Sequence, residues 1–197
     1  MLRNSSLGWG LVARNFHWLI VAMIAVQVPL GFYMNDVYKE LIATGSNDFS
    51  HLLQVSQIHH TNGFLILILV TLRLVWRSTN PTPDLPPGLA RYQRWLARLT
   101  HVFLYGLLFA FPLSGWATLS AYEGEFPIFF FGWDDVPRLV PQSIDGSHQP
   151  YEFYAAIHKT CWRIGAVVLG LHVVGALWHH WVLKDNVLRR MLRGVSP

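Results

Sequence analysis

Four long apolar stretches, each separated from the next by a polar segment, dominate the chain. They cover approximately residues 15–34, 52–76, 95–120 and 157–183. About 20 apolar residues in helical conformation cross the roughly 30 Å hydrocarbon core of a bilayer, so each stretch predicts a transmembrane helix. The pattern therefore predicts an all-α membrane protein, in which four helices form an up-down bundle and a single domain over residues 1–197.

The connecting segments differ in composition. Residues 35–50 are polar and predict a loop with at most one short helix. Residues 78–88 contain four prolines, which cannot continue a helix, so this segment is expected to be a connector. The longest segment, 121–151, contains an aromatic cluster bracketed by acidic residues and prolines. We expect it to lie on the membrane surface as a cap.

Composition and charge indicate the class of protein and its orientation. Of the 197 residues, 52% are hydrophobic and only 13% are charged, which is too apolar for an ordinary soluble protein. The side that holds both termini and the 78–88 connector carries eleven Lys and Arg against two Asp, and the opposite side carries four against nine Asp and Glu. These balances of +9 and −5 place both termini in the cytoplasm by the positive-inside rule. Because the excess of Lys and Arg is explained by membrane orientation, it does not indicate a nucleic-acid partner. We expect membrane lipid to surround the four helices.

Histidines inside the predicted spans are the main candidates for function, because a polar group at membrane depth is costly. His158 and His172 stand fourteen residues apart on the fourth span. That spacing puts them about 21 Å apart along one helix and within about 40° of one face. With the orientation above, His17 of the first span lies at the depth of His172, and His59 or His60 of the second span lies at the depth of His158. Three helices thus supply two pairs of imidazoles at two depths.

Two pairs of neutral imidazoles suit haem b better than zinc. Zinc takes three or four ligands, usually including a carboxylate or thiolate, and no acidic residue lies inside a span. A haem b with two axial histidines takes one from each of two helices and needs small residues where the macrocycle approaches the backbone. Gly63, Gly165 and Gly170 meet that need. Arg73 lies fourteen residues after His59 and on the same face, where it could pair with a haem propionate or extend to the membrane interface.

Several histidines compete with these assignments. His60 is one residue from His59, a rotation of 100°, and periodicity alone does not choose between them. His101 lies near the inner end of the third span, where a polar interface residue or a quinone-site residue would lie. His179 follows His172 on the same face, but it would set the two haems about 31 Å apart. A haem-free interpretation, in which the histidines serve proton or metal transport, also stays open.

Taken together, these residues resemble a known family. The segments that carry the resemblance are 14–18, 58–73, 101–112, 158–172 and 178–186. They are similar to segments of the bacterial cytochrome b561 family, which is related more distantly to the cytochrome b subunits of nickel-iron hydrogenases. The resemblance covers all four spans and implies a four-helix fold with two haem b groups. It implies His17 and His172 as axial ligands of the inner haem. It implies His59 and His158 for the outer haem, and so favours His59 over His60.

The same resemblance implies a function. We expect transfer of single electrons between the periplasmic side and the quinone pool of the bacterial inner membrane, with ubiquinone as the quinone. Members of the family include superoxide oxidases, which pass electrons from periplasmic superoxide to ubiquinone, and this is the more specific expectation. The alternative is a cytochrome b subunit that anchors a separate periplasmic dehydrogenase or hydrogenase. The outer balance of −5 departs from the electropositive surface that would steer superoxide, and it suits a basic redox partner.

Overall fold

Five helices make up the described structure. The computed structural model describes residues 1–86, 88–143 and 146–194. The first four of its helices are long and apolar enough to cross a membrane. Within those three ranges no strand forms, and β structure is limited to two isolated bridges. The predicted all-α fold with four spans is confirmed, while the cytoplasmic placement of the termini stays a prediction. The helices are α1 (Leu11–Thr44), α2 (Ser50–Ser78), α3 (Arg91–Ala121), α4 (Gln149–Trp181) and α5 (Val187–Arg193).

The first helix extends well beyond its predicted span. α1 continues through residues 35–44, where the polar composition predicted a loop, and that prediction is wrong. The reason is the spacing of the apolar residues in this segment. Val37 and Leu41 lie four apart, hence on one face of the helix, and are buried together with Leu52 of α2. α1 thus gains about three further turns, which pack against the start of α2.

The turn from α1 to α2 is short and well defined. Gly45 adopts a positive φ of 63°, a conformation that suits glycine after the end of a helix. Asp48 accepts a hydrogen bond from the backbone N–H of Ser50, the first residue of α2. The Ser50 hydroxyl and backbone N–H together lower the pKa of the Asp48 carboxyl below its usual value. The ionised carboxylate therefore stands at the positive end of the α2 dipole.

Contacts divide the chain into two compact units. Unit 1 contains residues 1–19, 69–109 and 161–197, and unit 2 contains residues 20–68 and 110–160. Each of the four long helices contributes a segment to both units. Unit 1 carries twelve Lys and Arg against two Asp, and unit 2 carries three against nine Asp and Glu. Their net charges of +10 and −6 follow the asymmetry between the predicted inner and outer loops.

α4 has two faces of different character. The candidate histidines His158 and His172 and the intervening Gly165 lie on a half-buried face, and no residue of this helix is fully buried. An apolar face suits contact with lipid tails, whereas the half-buried face carries the polar rings. The opposite face consists of large apolar side chains that are exposed: Ile164, Val167, Leu171, Val174 and Trp178.

The C-terminal helix is bonded to the start of α1 in unit 1. The Arg14 guanidinium donates to the carbonyl of Leu192, and the indole N–H of Trp18 donates to the carbonyl of Met191. The sequence pattern did not predict α5. Its contacts fix the residues on either side of His17, so the tail helps to place that histidine.

The segment between α3 and α4 forms a structured cap on unit 2. Arg138 donates to the carbonyl of Ser120 at the end of α3. The Gln57 amide of α2 donates to the carbonyl of Phe131, whose own N–H donates to the hydroxyl of Thr61. The cap is therefore fixed to both α2 and α3, although its described residues form no long element of their own.

Candidate functional site

Three histidines from three helices meet in unit 1. The ring centroids of His17 (α1) and His172 (α4) are 6.3 Å apart, and the ring planes are inclined at 77°. The ring of His101 (α3) lies 5.4 Å from that of His172, at 81°. The two rings that the sequence pairs on the inner side thus lie together, and His101 joins them.

The separation of the His17 and His172 rings is compatible with one metal ion held between them. An imidazole–metal bond is about 2 Å long, so two axial imidazoles on one ion hold their ring centres roughly 6 Å apart. The observed 6.3 Å matches this value. Gly165 lies on the same face of α4, and apart from its chain neighbours and the nearby backbone of α4 itself, no described atom comes within 4 Å of the position that its Cβ would occupy. A flat macrocycle needs such a gap beside its ligands, so these residues fit a haem.

His101 has a fixed ring orientation that makes it a competitor of His17. Its Nδ1–H donates to the carbonyl of Ala97 over 2.6 Å, which leaves the lone pair on Nε2. Metal-binding histidines are commonly oriented in this way. However, the 5.4 Å between the His101 and His172 rings is shorter than the roughly 6 Å that two axial imidazoles require. The geometry therefore favours His17 as the partner of His172.

Arg73 of α2 stands beside His17. Its Nη1 donates to His17 Nδ1 over 3.1 Å, and its guanidinium lies 5.6 Å from the ring centre of Tyr105. Arg77, one turn further along α2, lies 5.7 Å from the same ring. The sequence placed Arg73 near the inner pair, and the structure adds Arg77 and Tyr105 to that group.

In unit 2, His158 of α4 is held by its Nδ1 atom. Nδ1–H donates to the carbonyl of Phe111 over 3.0 Å and lies 3.2 Å from the hydroxyl oxygen of Ser114. A Cβ on Gly115 would approach Cε1 of the ring to 3.0 Å, so the ring rests directly against the backbone of α3. With Nδ1 occupied in this way, Nε2 carries the lone pair and is available to a metal.

His59 of α2 lies in a network of amide side chains in unit 2. Gln27 of α1 donates from Nε2 to the His59 carbonyl over 3.0 Å, and the same nitrogen lies 3.3 Å from His59 Nε2. Asn62 donates to Gln27 Oε1 over 2.7 Å and so fixes the orientation of the amide. His59 Nδ1 is buried and lacks a hydrogen-bond partner among the residues described.

The glycines of the spans differ in what lies next to them. A Cβ on Gly31 would approach His59 Cε1 to 3.0 Å, and a Cβ on Gly63 would approach the Gln27 amide nitrogen to 3.4 Å. Gly63, which the sequence assigned to a haem edge, thus borders the Gln27 amide. Gly170 is exposed, with open space around its Cβ position.

His60 faces the cap. It is only 7% exposed, its Nδ1 accepts a hydrogen bond from the Phe129 N–H, and its ring stacks on the Phe129 ring at 5.9 Å. Because neighbouring residues of a helix point 100° apart, His59 and His60 cannot serve the same site. The cap occupies His60, whereas His59 lies in the network of the Gln27 amide.

Comparison with known proteins decides the family. In the part of the chain that the structure describes, no three His, Cys, Asp or Glu side chains converge on a metal position. The family model for prokaryotic cytochrome b561 matches residues 8–194. The chain belongs to the prokaryotic cytochrome b561 family. It is therefore a multi-pass membrane cytochrome that binds haem b and serves electron transport, as the sequence resemblance implied.

Curated members of the cytochrome b561 family match along almost their whole length. Cytochrome b561 homolog 2 of Escherichia coli (strain K12) is 31% identical over 190 residues, covering 96% of this chain and 93% of that protein. Homolog 1 of the same organism is 28% identical over 176 residues, covering 89% and 92%. The probable superoxide oxidase CybB of Yersinia pestis is 26% identical over 176 residues, covering 89% and 90%.

His179 of this cytochrome has a structural partner. Its Nδ1 pairs with the carboxylate of Asp185, whose backbone N–H donates to the His179 carbonyl. The same carboxylate accepts a hydrogen bond from the N–H of Val187, the first residue of α5. His179 therefore joins the end of α4 to α5, an engagement that sets it apart from the His17 and His172 pair.

Besides Arg77 and Tyr105, residues around the histidines that were not identified from the sequence include Gln27, Gly31, Ser114 and Gly115. Gln27 carried a usable signal, since it is a polar residue inside an apolar span, as the selected histidines are. Gly31 and Gly115 carried none, because glycine is frequent in membrane helices for packing alone.

Proposed function

We propose that this cytochrome b561 passes single electrons through two haem b groups between the periplasmic side and the membrane quinone pool. His17 and His172 would hold one haem, and His59 and His158 would hold the other. The observation that carries the proposal is that two different helices, α1 and α4, bring His17 and His172 together with their rings 6.3 Å apart. A haem with two imidazole ligands has no open position on iron, so it exchanges single electrons and does not bind oxygen.

The surrounding residues of the chain orient the ligands and border the cofactor. The hydrogen bond from His158 Nδ1 to the Phe111 carbonyl fixes the tautomer whose Nε2 lone pair would be available to the haem iron. Arg73 would pair with a propionate. Gly165, with open space at its Cβ position, would border the macrocycle held by His17 and His172. Gly170 and Gly63 are further candidates for such edges.

The partners and location follow from the family and the charge pattern. We infer ubiquinone as the electron acceptor and the bacterial inner membrane as the location, with both termini in the cytoplasm. The net charge of +10 on unit 1, which contains both termini, supports this orientation. Unit 2, with −6, would then face the periplasm.

A more specific function is that of a superoxide:ubiquinone oxidoreductase. The 26% identity to the protein named probable superoxide oxidase CybB favours it. The alternative function is a cytochrome b subunit that anchors a separate periplasmic dehydrogenase or hydrogenase and accepts its electrons. The acidic charge of unit 2 favours this second function, because it repels an anionic donor and attracts a basic protein.

Haem stoichiometry tests the ligand assignment. The purified, dithionite-reduced protein should have a low-spin haem b spectrum and two haems per chain. His17→Ala and His59→Ala should each retain one haem, because each removes one axial ligand. His51→Ala, which removes an exposed histidine of α2, is the matched control and should retain both. Two haems in both ligand variants would contradict the pairing.

The electron donor is tested separately. Reduction of ubiquinone by enzymatically generated superoxide, with the protein alone in vesicles, should proceed if the chain is a superoxide oxidase. No reduction there, together with co-purification of a periplasmic redox protein, would favour the anchor subunit. Both outcomes leave the two-haem arrangement in place, so the assay tests the identity of the electron donor independently of haem binding.

A further inference from the structure

Two arginines of α2 contact one tyrosine of α3 in unit 1. Arg73 and Arg77 are one helical turn apart, and their guanidinium carbons lie 5.6 Å and 5.7 Å from the ring centre of Tyr105. Contacts of this length between a cation and an aromatic ring are attractive, but they do not neutralise the charge. One phenol ring therefore holds two positive charges close together.

Neither arginine has a carboxylate partner in the described part of the chain. Unit 1 contains two acidic residues, Asp84 and Asp185, and Asp185 is already paired with His179. Both arginines are half-buried, where an unpaired charge is costly. Guanidinium groups present planar, forked donors that match carboxylates, so two adjacent arginines suit a ligand with two carboxylates.

The contact between Arg73 and His17 points to the same kind of ligand. A guanidinium only donates, so His17 Nδ1 accepts here, and the proton of the neutral ring is on Nε2. A histidine that binds a metal through Nε2 carries its proton on Nδ1 instead. Arg73 would then lose this acceptor, and its N–H groups would require another.

We propose that Arg73, Arg77 and Tyr105 form the binding site for the two propionate carboxylates of the haem held by His17 and His172. This rests on the proposed function, which supplies that haem, and it adds Arg77 and Tyr105 to the assigned Arg73. Arg77 binds one carboxylate. Arg73 binds the other once His17 no longer accepts its hydrogen bond. Tyr105 is a positioning residue that holds the two guanidinium groups in place.

The test compares haem b with its dimethyl ester, in which both propionates are uncharged. The full chain carrying His59→Ala, which isolates the haem of unit 1, is produced in membranes of haem-deficient cells and titrated with each form while the Soret band is recorded. The ester should bind about tenfold more weakly or worse, because it cannot make the charge-assisted hydrogen bonds. Arg77→Gln should weaken binding of haem b by a similar factor and leave binding of the ester unchanged.

Three further variants define the site. Arg91→Gln removes an exposed arginine at the start of α3 and, as the matched control, should keep the full preference for haem b over the ester. Arg77→Lys should restore part of the preference, since it keeps the charge but not the fork. Tyr105→Leu should reduce the preference without abolishing binding of the ester.

Two results would overturn the propionate site. One is equal affinity of the His59→Ala chain for haem b and its ester, and the other is equal weakening of both forms by Arg77→Gln. Either result would leave the two-haem function intact, whereas failure of the unmodified chain to bind any haem would contradict that function and this site together. If His59→Ala does not fold, the unmodified chain gives the same comparison, with the unit 1 haem identified as the component that His17→Ala lacks.

Discussion

Gly115 of α3 lies so close to His158 of α4 that a Cβ on the glycine would stand 3.0 Å from Cε1 and 3.2 Å from Nδ1 of the ring. Gly31 of α1 has the same relationship to His59 of α2, where a Cβ would stand 3.0 Å from Cε1. Each candidate ligand of unit 2 therefore rests against a glycine of the preceding helix. The missing side chain fixes how deeply each ring is seated.

Gly115→Ala should displace His158 by a few tenths of an ångström. The added methyl group meets the ring edge that bears Nδ1, so the hydrogen bond to the Phe111 carbonyl should weaken with it. We expect a destabilisation of about 1–3 kcal/mol, typical of overpacking, and an altered midpoint potential for one of two haem components in a redox titration. Gly106→Ala on the same helix, where no described atom is near the Cβ position, is the control. Identical titrations for both variants would contradict this seating of His158.

Gln27→Leu should disturb the His59 site alone. The substitution removes the donor to the His59 carbonyl and the acceptor of the Asn62 amide, which leaves polar atoms unpaired in a half-buried place. A loss of about 1–3 kcal/mol in unfolding free energy is expected from such groups. Thermal unfolding in detergent and a redox titration measure the two effects. Gln54→Leu, at an exposed position of α2, should change neither, and an equal effect of both variants would count against the network.

His60→Ala should loosen the cap and leave both haems bound. The variant removes the acceptor of the Phe129 N–H and the ring stacked on Phe129. Hydrogen exchange of the cap amides should therefore become faster, while the haem content stays at the unmodified level. Loss of a haem from His60→Ala, combined with retention of both in His59→Ala, would exchange the roles of the two histidines.

Salt should accelerate any reaction of unit 2 with superoxide. Unit 2 carries a net −6, so it repels the superoxide anion, and salt screens that repulsion. Raising the ionic strength from about 0.01 M to about 0.15 M shortens the Debye length from about 30 Å to about 8 Å. We expect the superoxide-dependent rate to rise accordingly, and an uncharged quinol as donor to be insensitive to salt.

Removal of acidic charge tests the same effect without a change of salt. Asp134→Asn combined with Asp135→Asn, both in the exposed part of the cap, should also raise the superoxide-dependent rate at low salt. Asp84→Asn in unit 1 is the matched control and should leave it unchanged. A rate that falls with added salt would mean that a local positive patch guides the anion in spite of the net charge.

The sequence was sufficient for properties that are local to one helix. The four spans follow from the lengths of the apolar stretches, and His158, Gly165 and His172 share a face because of the helical period alone. The depth of His17 followed from the charge pattern, and its ring does lie beside that of His172. These inferences needed no knowledge of how one helix is rotated against another.

Contacts between helices could not be predicted in this way. The approach of Gln27 to His59, and of Gly115 to His158, depends on the rotation and register of neighbouring helices, which a single sequence does not specify. The end of α1 was missed for a related reason. Residues 35–44 look polar as a segment, and their helical conformation depends on the burial of Val37 and Leu41 against Leu52.

α4 runs without interruption from Gln149 to Trp181 and carries His158 in unit 2 and His172 in unit 1. Because the helix is continuous, its period fixes the rotation and the rise between His158 and His172. Inserting or deleting one residue there would turn one ring by 100° and shift it by 1.5 Å relative to the other. Either change would alter the rotation and rise between the two histidines of α4, so we expect altered chain length to be tolerated less well between residues 158 and 172 than in the loops.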